Sequence, residues 1–405
     1  MSTVAATNTF TTSDYLENLC LTALESRFQL AVWRKPKCSR VEIVLESSGD
    51  IVHVDTEIEK LPSGFILHPF SGLENERAFF IPAETYLSID LAQNTSHVLP
   101  EHLMHPTSNQ EAPLKDKIWN VLKRETNTEL AANELQTEKP AFLTMVEKAK
   151  QAIAGGSMFK VVAAKTKHLP LNDRFDLIGT FLALCNAYPN SFVNFFHIPG
   201  VGTWIGATPE ILIQTKGAAF HTMALAGTQR AVGENPLKTA AWTQKEIEEQ
   251  ALVSRYIVSC FKKIRLREYD EIGPKTSMAG NLLHLRSDFF VDMETTGFPQ
   301  LGSVMLNLLH PTSAVCGMPK DAAKAFIAEN EGFDRRFFAG YLGPVNIGEE
   351  TEIYVNLRCG QIMADSAILY AGAGITEDSD PEKEWEETEM KCEIIRKYLI
   401  NPAEA

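Results

Sequence analysis

The sequence predicts one large α+β domain, and three observations carry that expectation. A chain of 405 residues is long enough to bury a sizeable site. Short apolar runs bounded by turn residues recur through residues 14–95, the pattern of several strands. From Ala141 onward helix-like and strand-like stretches alternate with no evident linker and no internal repeat, so the two parts read as one fold.

Composition narrows the class. With 44% hydrophobic and 22% charged residues the chain has the make-up of a soluble globular protein. A formal net charge of -14 argues against a nucleic-acid partner, and it would repel an anionic substrate unless the pocket were locally positive or held a metal. The seven cysteines are scattered without a Cys-x-x-Cys pair, which suits a reducing, cytoplasmic setting and offers no zinc site. No apolar run reaches the roughly 18 residues of a membrane span. The opening "MSTVAATNTFTTSDYL" lacks the regions of a signal peptide. Residues 1–13 are expected to be a flexible tail and 14–405 a single domain, monomeric by default.

Along the chain, "RFQLAVW", "VEIVLESS", "GFILHPF" and "RAFFIPA" read as strands, and residues 96–140 as a polar surface excursion with some helix. "FLTMVEKAKQAI" is amphipathic and stops at Gly155-Gly156. The strand "FKVVAAKTK" follows. Its alternation places Lys160 with Val162 and Ala164 on one face, and Val161, Ala163 and Lys165 on the other. Lys160 is either a solvent-edge lysine or a partly desolvated amine able to act as a base; spacing leaves both open.

"GVGTWIGATPEILI" reads as a turn at Pro199-Gly200 and two strands separated by Gly-Ala-Thr-Pro. Glu210, the one formally charged residue between Asp176 and Lys216, lies against an apolar run. It is an edge carboxylate or a carboxylic acid whose raised pKa suits general-acid work. "TMALAGTQR" is a strand ending at Gly227-Thr228, where small residues permit a ligand close to backbone. In "KEIEEQALVSRYIVSCF" Glu249 is in register with the buried stripe of Val253, Tyr256, Ile257 and Cys260. A helix-start glutamate favoured by the macrodipole is the alternative to a charge that needs a partner or a metal.

"VNLRCG" places Arg358 on a strand face with Asn356 and Tyr354, an arrangement suited to clamping a carboxylate. "AGAG" could offer backbone N–H groups to an anion, although it fails as a dinucleotide fingerprint because Glu377 occupies the third glycine position. Asp380 and Pro381 make a good N-cap and N1 pair. Glu384, Glu387 and Lys391 then share one helical face with Ile394, Ile395 and Tyr398. That face is either a solvated ladder of Glu–Lys pairs or, with Glu249, an all-oxygen site for a hard cation such as Mg²⁺.

Taken in order, "KVVAAK", "GATPE", "ALAGTQR", "KEIEEQALV", "LLHLRS", "LHPTSAVCGMPKDAAKAFIAENEGFDRRFFAG", "LYAGAGI" and "DPEKEWEETEMK" resemble the chorismate-utilising enzymes. That family comprises isochorismate and salicylate synthases and the synthase components that make anthranilate and aminodeoxychorismate. The resemblance covers about residues 141–399. It implies the chorismate-synthase-like (ADC synthase) fold, with many antiparallel strands in two packed sheets, helices outside and the site between them.

Within that family the lysine at Lys160, where ammonia-using members typically carry glutamine, implies a water nucleophile. Ala314 stands where pyruvate-eliminating members typically have threonine. "ALAGT" lacks the nucleophilic lysine of aminodeoxychorismate synthases. The resemblance thus implies an isochorismate synthase, an isomerase with chorismate as its small-molecule substrate, salicylate synthase being the alternative. The modest length and brief N-terminal region favour a 2,3-dihydroxybenzoate/siderophore role over menaquinone.

By the same resemblance Lys160 would be the base and Glu210 the acid. Glu249, Glu384 and Glu387 would hold Mg²⁺. Arg358, Lys391 and the backbone of Gly372, Ala373 and Gly374 would hold the substrate carboxylates, with Gly227, Thr228, His284 and Ala314 lining its pocket. Three positions depart from the family pattern: Gln250 where histidine is common, Lys165 for arginine, and Pro344 for tryptophan.

Overall fold

The computed structural model describes residues 9–71, 77–92, 97–100, 103, 112–125, 132–279 and 282–400. Of the expected flexible tail, residues 1–8 lie outside the described residues. Residues 9–13 are built into the fold: Thr9–Phe10 pairs antiparallel with His97–Val98, and a helix opens at Thr12. That helix, Thr12–Glu25, corrects the reading of residues 14–95 as strands alone. Leu16, Leu19, Cys20 and Ala23 recur at helical spacing and are buried, and the Thr11 hydroxyl accepts from the Asp14 N–H at 3.2 Å. Of the 96–140 excursion, Leu114–Glu125 and Ala132–Leu135 are helical, and much of the remainder lies outside the described residues.

Two nine-stranded sheets form the body, and every pairing among the described residues is antiparallel. The first runs, edge to edge, Gly317–Met318, Lys160–Pro170, Ser366–Ile375, Cys359–Ile362, Gly202–Thr208, Phe192–Ile198, Gln29–Arg34, Arg40–Glu46 and Thr85–Asp90. The second runs Asp270–Ala279, Leu282–Asp292, Ala219–Arg230, Ile211–Lys216, Glu350–Val355, Tyr341–Val345, Gly64–His68, Ala78–Pro82 and Val52–Val54. The first hundred residues therefore supply strands to one end of both sheets.

The sheets pack face to face through large side chains. Phe192 stacks on Tyr354 with ring centroids 4.1 Å apart, and Trp33 meets Phe65 at 5.1 Å. Burying a ring such as Phe192 stabilises the sandwich by about 1.5–3 kcal/mol. A second apolar layer joins the outer face of the first sheet to the helices Thr12–Glu25, Leu114–Glu125, Leu177–Ala187 and Pro381–Ile400. Gln244–Lys263 and Leu301–Leu309 cover the second sheet.

Twice near the centre the chain passes from one sheet to the other. Pro209-Glu210 joins Gly202–Thr208 to Ile211–Lys216, and residues 356–358 join Glu350–Val355 to Cys359–Ile362. The crossings are bound together: Val355 N–H donates to Glu210 O (3.0 Å), Ala207 N–H to Arg358 O (3.0 Å), and the Thr208 hydroxyl to Val355 O (2.6 Å). Backbone groups that leave their ladders here satisfy one another.

Candidate active site

The two crossings carry the first two functional side chains. Glu210 is 5% exposed on one, and Arg358 is 8% exposed on the other. Arg358 does not lie on a strand face with Asn356 and Tyr354 as the spacing suggested. Val355 is the last strand residue, and Arg358 sits in the connecting turn with a left-handed φ of 49°. The reason is the change of sheet, which breaks the alternation. Tyr354 turns instead to Glu352 (2.8 Å), and the Asn356 amide donates to Phe337 O (3.0 Å). A non-glycine residue held at positive φ is strained, and such strain concentrates at functional sites.

Gly372 and Gly374 lie inside the strand Ser366–Ile375, paired with Ala164 and Val162. Their contribution is the missing side chain. A Cβ on Gly374 would come within 2.6 Å of the Glu249 carboxylate and 2.9 Å of Lys160 Cε. Ala373, on the opposite face, is absent from the cavity lining. At Gly227-Thr228 the strand does not end; it bulges between Ala226 and Gln229 and continues to Arg230, and Gly227 takes a φ of 69°.

Glu210, Gly227, Thr228, Glu249, His284, Ala314, Arg358, Gly372, Gly374, Glu387 and Lys391 all line one cavity of about 60 Å³ between the sheets. A second hollow of about 50 Å³ shares Ala314, Arg358, Gly372 and Lys391 with it. A cleft of about 620 Å³ opens beside it, sharing Pro209, Leu225 and His284. Lys160 sits behind Gly374, and Glu384 lies in the first turn of the C-terminal helix; both are 1% exposed. As the side chains stand, the central hollows have room for only a few waters.

Burial, first of all, pushes the Glu210 carboxyl up to about 7, against the pull of Arg358, Lys160 and Lys391. It is a protonated acid for a large fraction of the time at neutral pH. Burial also brings Arg358 down to about 10, which leaves it charged, and His284 down to about 3, which leaves it neutral. His284 Nδ1 is 2.8 Å from Gly227 O, so that nitrogen carries the proton. Its Nε2 is a buried acceptor with no hydrogen-bond partner among the described residues.

At one end of the cavity three carboxylates meet three ammonium groups. Glu249 pairs with Lys160 at 2.7 Å, Glu384 with Lys245 at 2.5 Å, and Glu387 with Lys391 at 2.7 Å; Lys391 also donates to Gly372 O at 2.7 Å. Desolvation alone would raise Glu249, yet Lys160, Lys391 and Lys245 together hold it below the ordinary carboxylate value. As the side chains stand, no three carboxylate, histidine or cysteine groups among the described residues are close enough to hold a metal. The donor chemistry fits a hard cation all the same: the corner is all oxygen, and an ammonium, Lys245, already feels Glu384, Glu387 and Glu249 together. Lys245 was not singled out from sequence. Its signal was there, since Lys245 and Glu249 are four apart on one helix.

Residues 77–400 match the family model described as chorismate binding enzyme. The chain is 29% identical to isochorismate synthase MenF of Escherichia coli K12 over 269 residues, 65% of this chain and 61% of that one. It is 29% identical to isochorismate synthase EntC of the same organism over 306 residues, 73% of this chain and 77% of that one. The match to MenF thus spans less than two thirds of that relative. By fold, it resembles the solved structure of E. coli MenF (TM-score 0.69, 20% identity, 97% of this chain and 92% of that one). It also resembles anthranilate synthase component I of Streptococcus pneumoniae (TM-score 0.65, 20% identity, 91% and 92%). The two packed sheets with outer helices are the arrangement expected from the resemblance.

Proposed function

The chain belongs to the chorismate binding enzyme family, and from that premise we propose that it is an isochorismate synthase, converting chorismate reversibly to isochorismate in the cytoplasm. One observation carries the reading: a buried acid, Glu210, with its carboxyl at about 7, lies in the same cavity as Arg358 and Lys391 and within electrostatic reach of Lys160. Such a pairing of proton donor and potential acceptor is what exchange of a hydroxyl across a ring requires.

Lys160 is the base that takes a proton from the water whose oxygen bonds to C2. Glu210 gives its proton to the C4 hydroxyl, which leaves as water as the C4–O bond breaks and the ring double bonds shift. One water is consumed and one released. Arg358 and Lys391 neutralise the substrate carboxylates, and the bare strand at Gly372 and Gly374 gives the ring room. Neutral His284 lines the cavity beside Thr228, and its Nε2, unpartnered among the described residues, is free to accept a hydrogen bond from a substrate hydroxyl. Ala314 leaves space where a hydroxyl-bearing residue would assist loss of pyruvate. Glu249, Glu384 and Glu387 would hold Mg²⁺, which supplies positive charge to grip a substrate carboxylate.

The test is incubation with chorismate and Mg²⁺, with and without EDTA and with ammonium present, and chromatography of all products. Isochorismate alone, lost with EDTA, is the expected result. Salicylate with pyruvate, or an aminated ring, would overturn the reaction while leaving the family in place.

A further inference from the structure

The three Glu–Lys pairs leave the corner of the cavity neutral as it stands. A divalent cation can join the three carboxylates only if at least one ammonium gives way, because like charges crowded at a few ångströms repel strongly in a buried site. The three lysines are not equally able to leave. Lys160 is 1% exposed, fixed at Glu249 behind Gly374. Lys391 is 17% exposed and tied to Gly372 O as well as to Glu387. Lys245 is 37% exposed, lies in the first turn of its helix, and among the described residues donates only to Glu384, itself 1% exposed.

Resting on the reading of Glu249, Glu384 and Glu387 as metal ligands, we propose that the Lys245 ammonium is a resident counter-ion that stands in for the metal and is exchanged for it. Without metal it neutralises the glutamates and prevents their repulsion from opening the corner. When a divalent cation binds, Lys245 swings out to solvent, still protonated, and Glu384 passes from the ammonium to the ion. Every metal-binding event then includes the loss of one buried ion pair, so Lys245 holds the affinity for the bare cation down. No covalent bond changes.

The experiment is Mg²⁺ titration of the full-length protein without chorismate, by calorimetry and by displacement of Mn²⁺ followed by electron paramagnetic resonance. Wild type, Lys245→Met and Lys245→Arg are compared. Lys245→Met should bind Mg²⁺ at least about tenfold more tightly and melt at lower temperature without metal, with Mg²⁺ restoring the difference. Lys245→Arg should bind as wild type. Should the methionine variant not fold, acylation of Lys245 in the wild-type protein, read by mass spectrometry, replaces it: Mg²⁺ should speed the labelling. Affinity unchanged or weakened in Lys245→Met, or labelling unaffected by Mg²⁺ that does bind, overturns the exchange and leaves the metal site standing. Binding of neither Mg²⁺ nor Mn²⁺ to wild type or either variant overturns the metal site and the exchange together.

Discussion

Lys160 and Lys165 lie five positions apart on one strand, both 1% exposed and both ion-paired to a glutamate, yet they belong to different worlds. Lys160 points toward the site, where Glu249, Gly374 and the Glu210 cavity surround it. Lys165 faces the helices. There it sits 3.2 Å from the centre of the Trp385 ring, and Glu389 bridges it to Lys167. Burial and pairing are thus common to both lysines and mark neither as functional. What separates them is the cavity: Lys160 lies next to it, behind Gly374, while Lys165 is sealed by an indole.

The sharpest test of that contrast is Lys160→Ala, which should lower kcat by about 10²–10⁴-fold with the far-ultraviolet circular dichroism of a folded protein. Turnover near that of the parent would remove Lys160 as the base. Glu210→Gln should cost turnover on a similar scale, about 10²–10³-fold, and yet stabilise the protein at alkaline pH. Between pH 4.5 and about 7 the folded chain keeps a proton that the unfolded chain releases, so stability falls as pH rises through that window. Glutamine removes the loss, worth up to ~3 kcal/mol at pH 8; denaturant melts at pH 5 and pH 8 would read it, and an equal effect at both would break the account of Glu210. Since the acid must be protonated to act, kcat should also decline above about pH 7.

Smaller effects follow on both faces. Glu387→Gln should weaken Mg²⁺ binding by about 10- to 100-fold, read by calorimetry, and an unaltered requirement for the ion would exclude it as a ligand. Lys165→Met should leave kcat within about threefold and lower Tm by only a degree or two, since Glu389 is half-buried and keeps Lys167 as its partner and the apolar stem is retained. Loss of turnover in Lys165→Met with the fold intact would erase the distinction between the two faces.

Much of the site could be read from the chain because its chemistry is local. Glu210 stood out as a charge with no neighbour of its kind, and Asp380-Pro381 announced the helix that carries Glu387 and Lys391; the Asp380 carboxylate does accept from Lys383 N–H at 3.1 Å. Arg358 was misplaced because alternation assumes that a strand stays in its sheet, and here the chain changes sheets at Asn356. The matching of each glutamate to its own lysine was not legible, for two of those partnerships join segments far apart in sequence, 89 residues for Lys160–Glu249 and 139 for Lys245–Glu384. Helix Thr12–Glu25 was missed for a plainer reason, a stretch of leucines judged by its strand-rich surroundings.

The paired crossings have a consequence for the order in which the molecule can be made. The hydrogen bond from Thr208 to Val355 closes a loop of 147 residues, and Glu210 and Arg358 stand beside its two ends. A chain emerging from the ribosome therefore exposes its acid long before the arginine that faces it exists, and contacts so distant in sequence form late and slowly. Glu387 and Lys391 arrive later still, on Pro381–Ile400. The lining of the cavity is therefore incomplete until that helix has been made and docked.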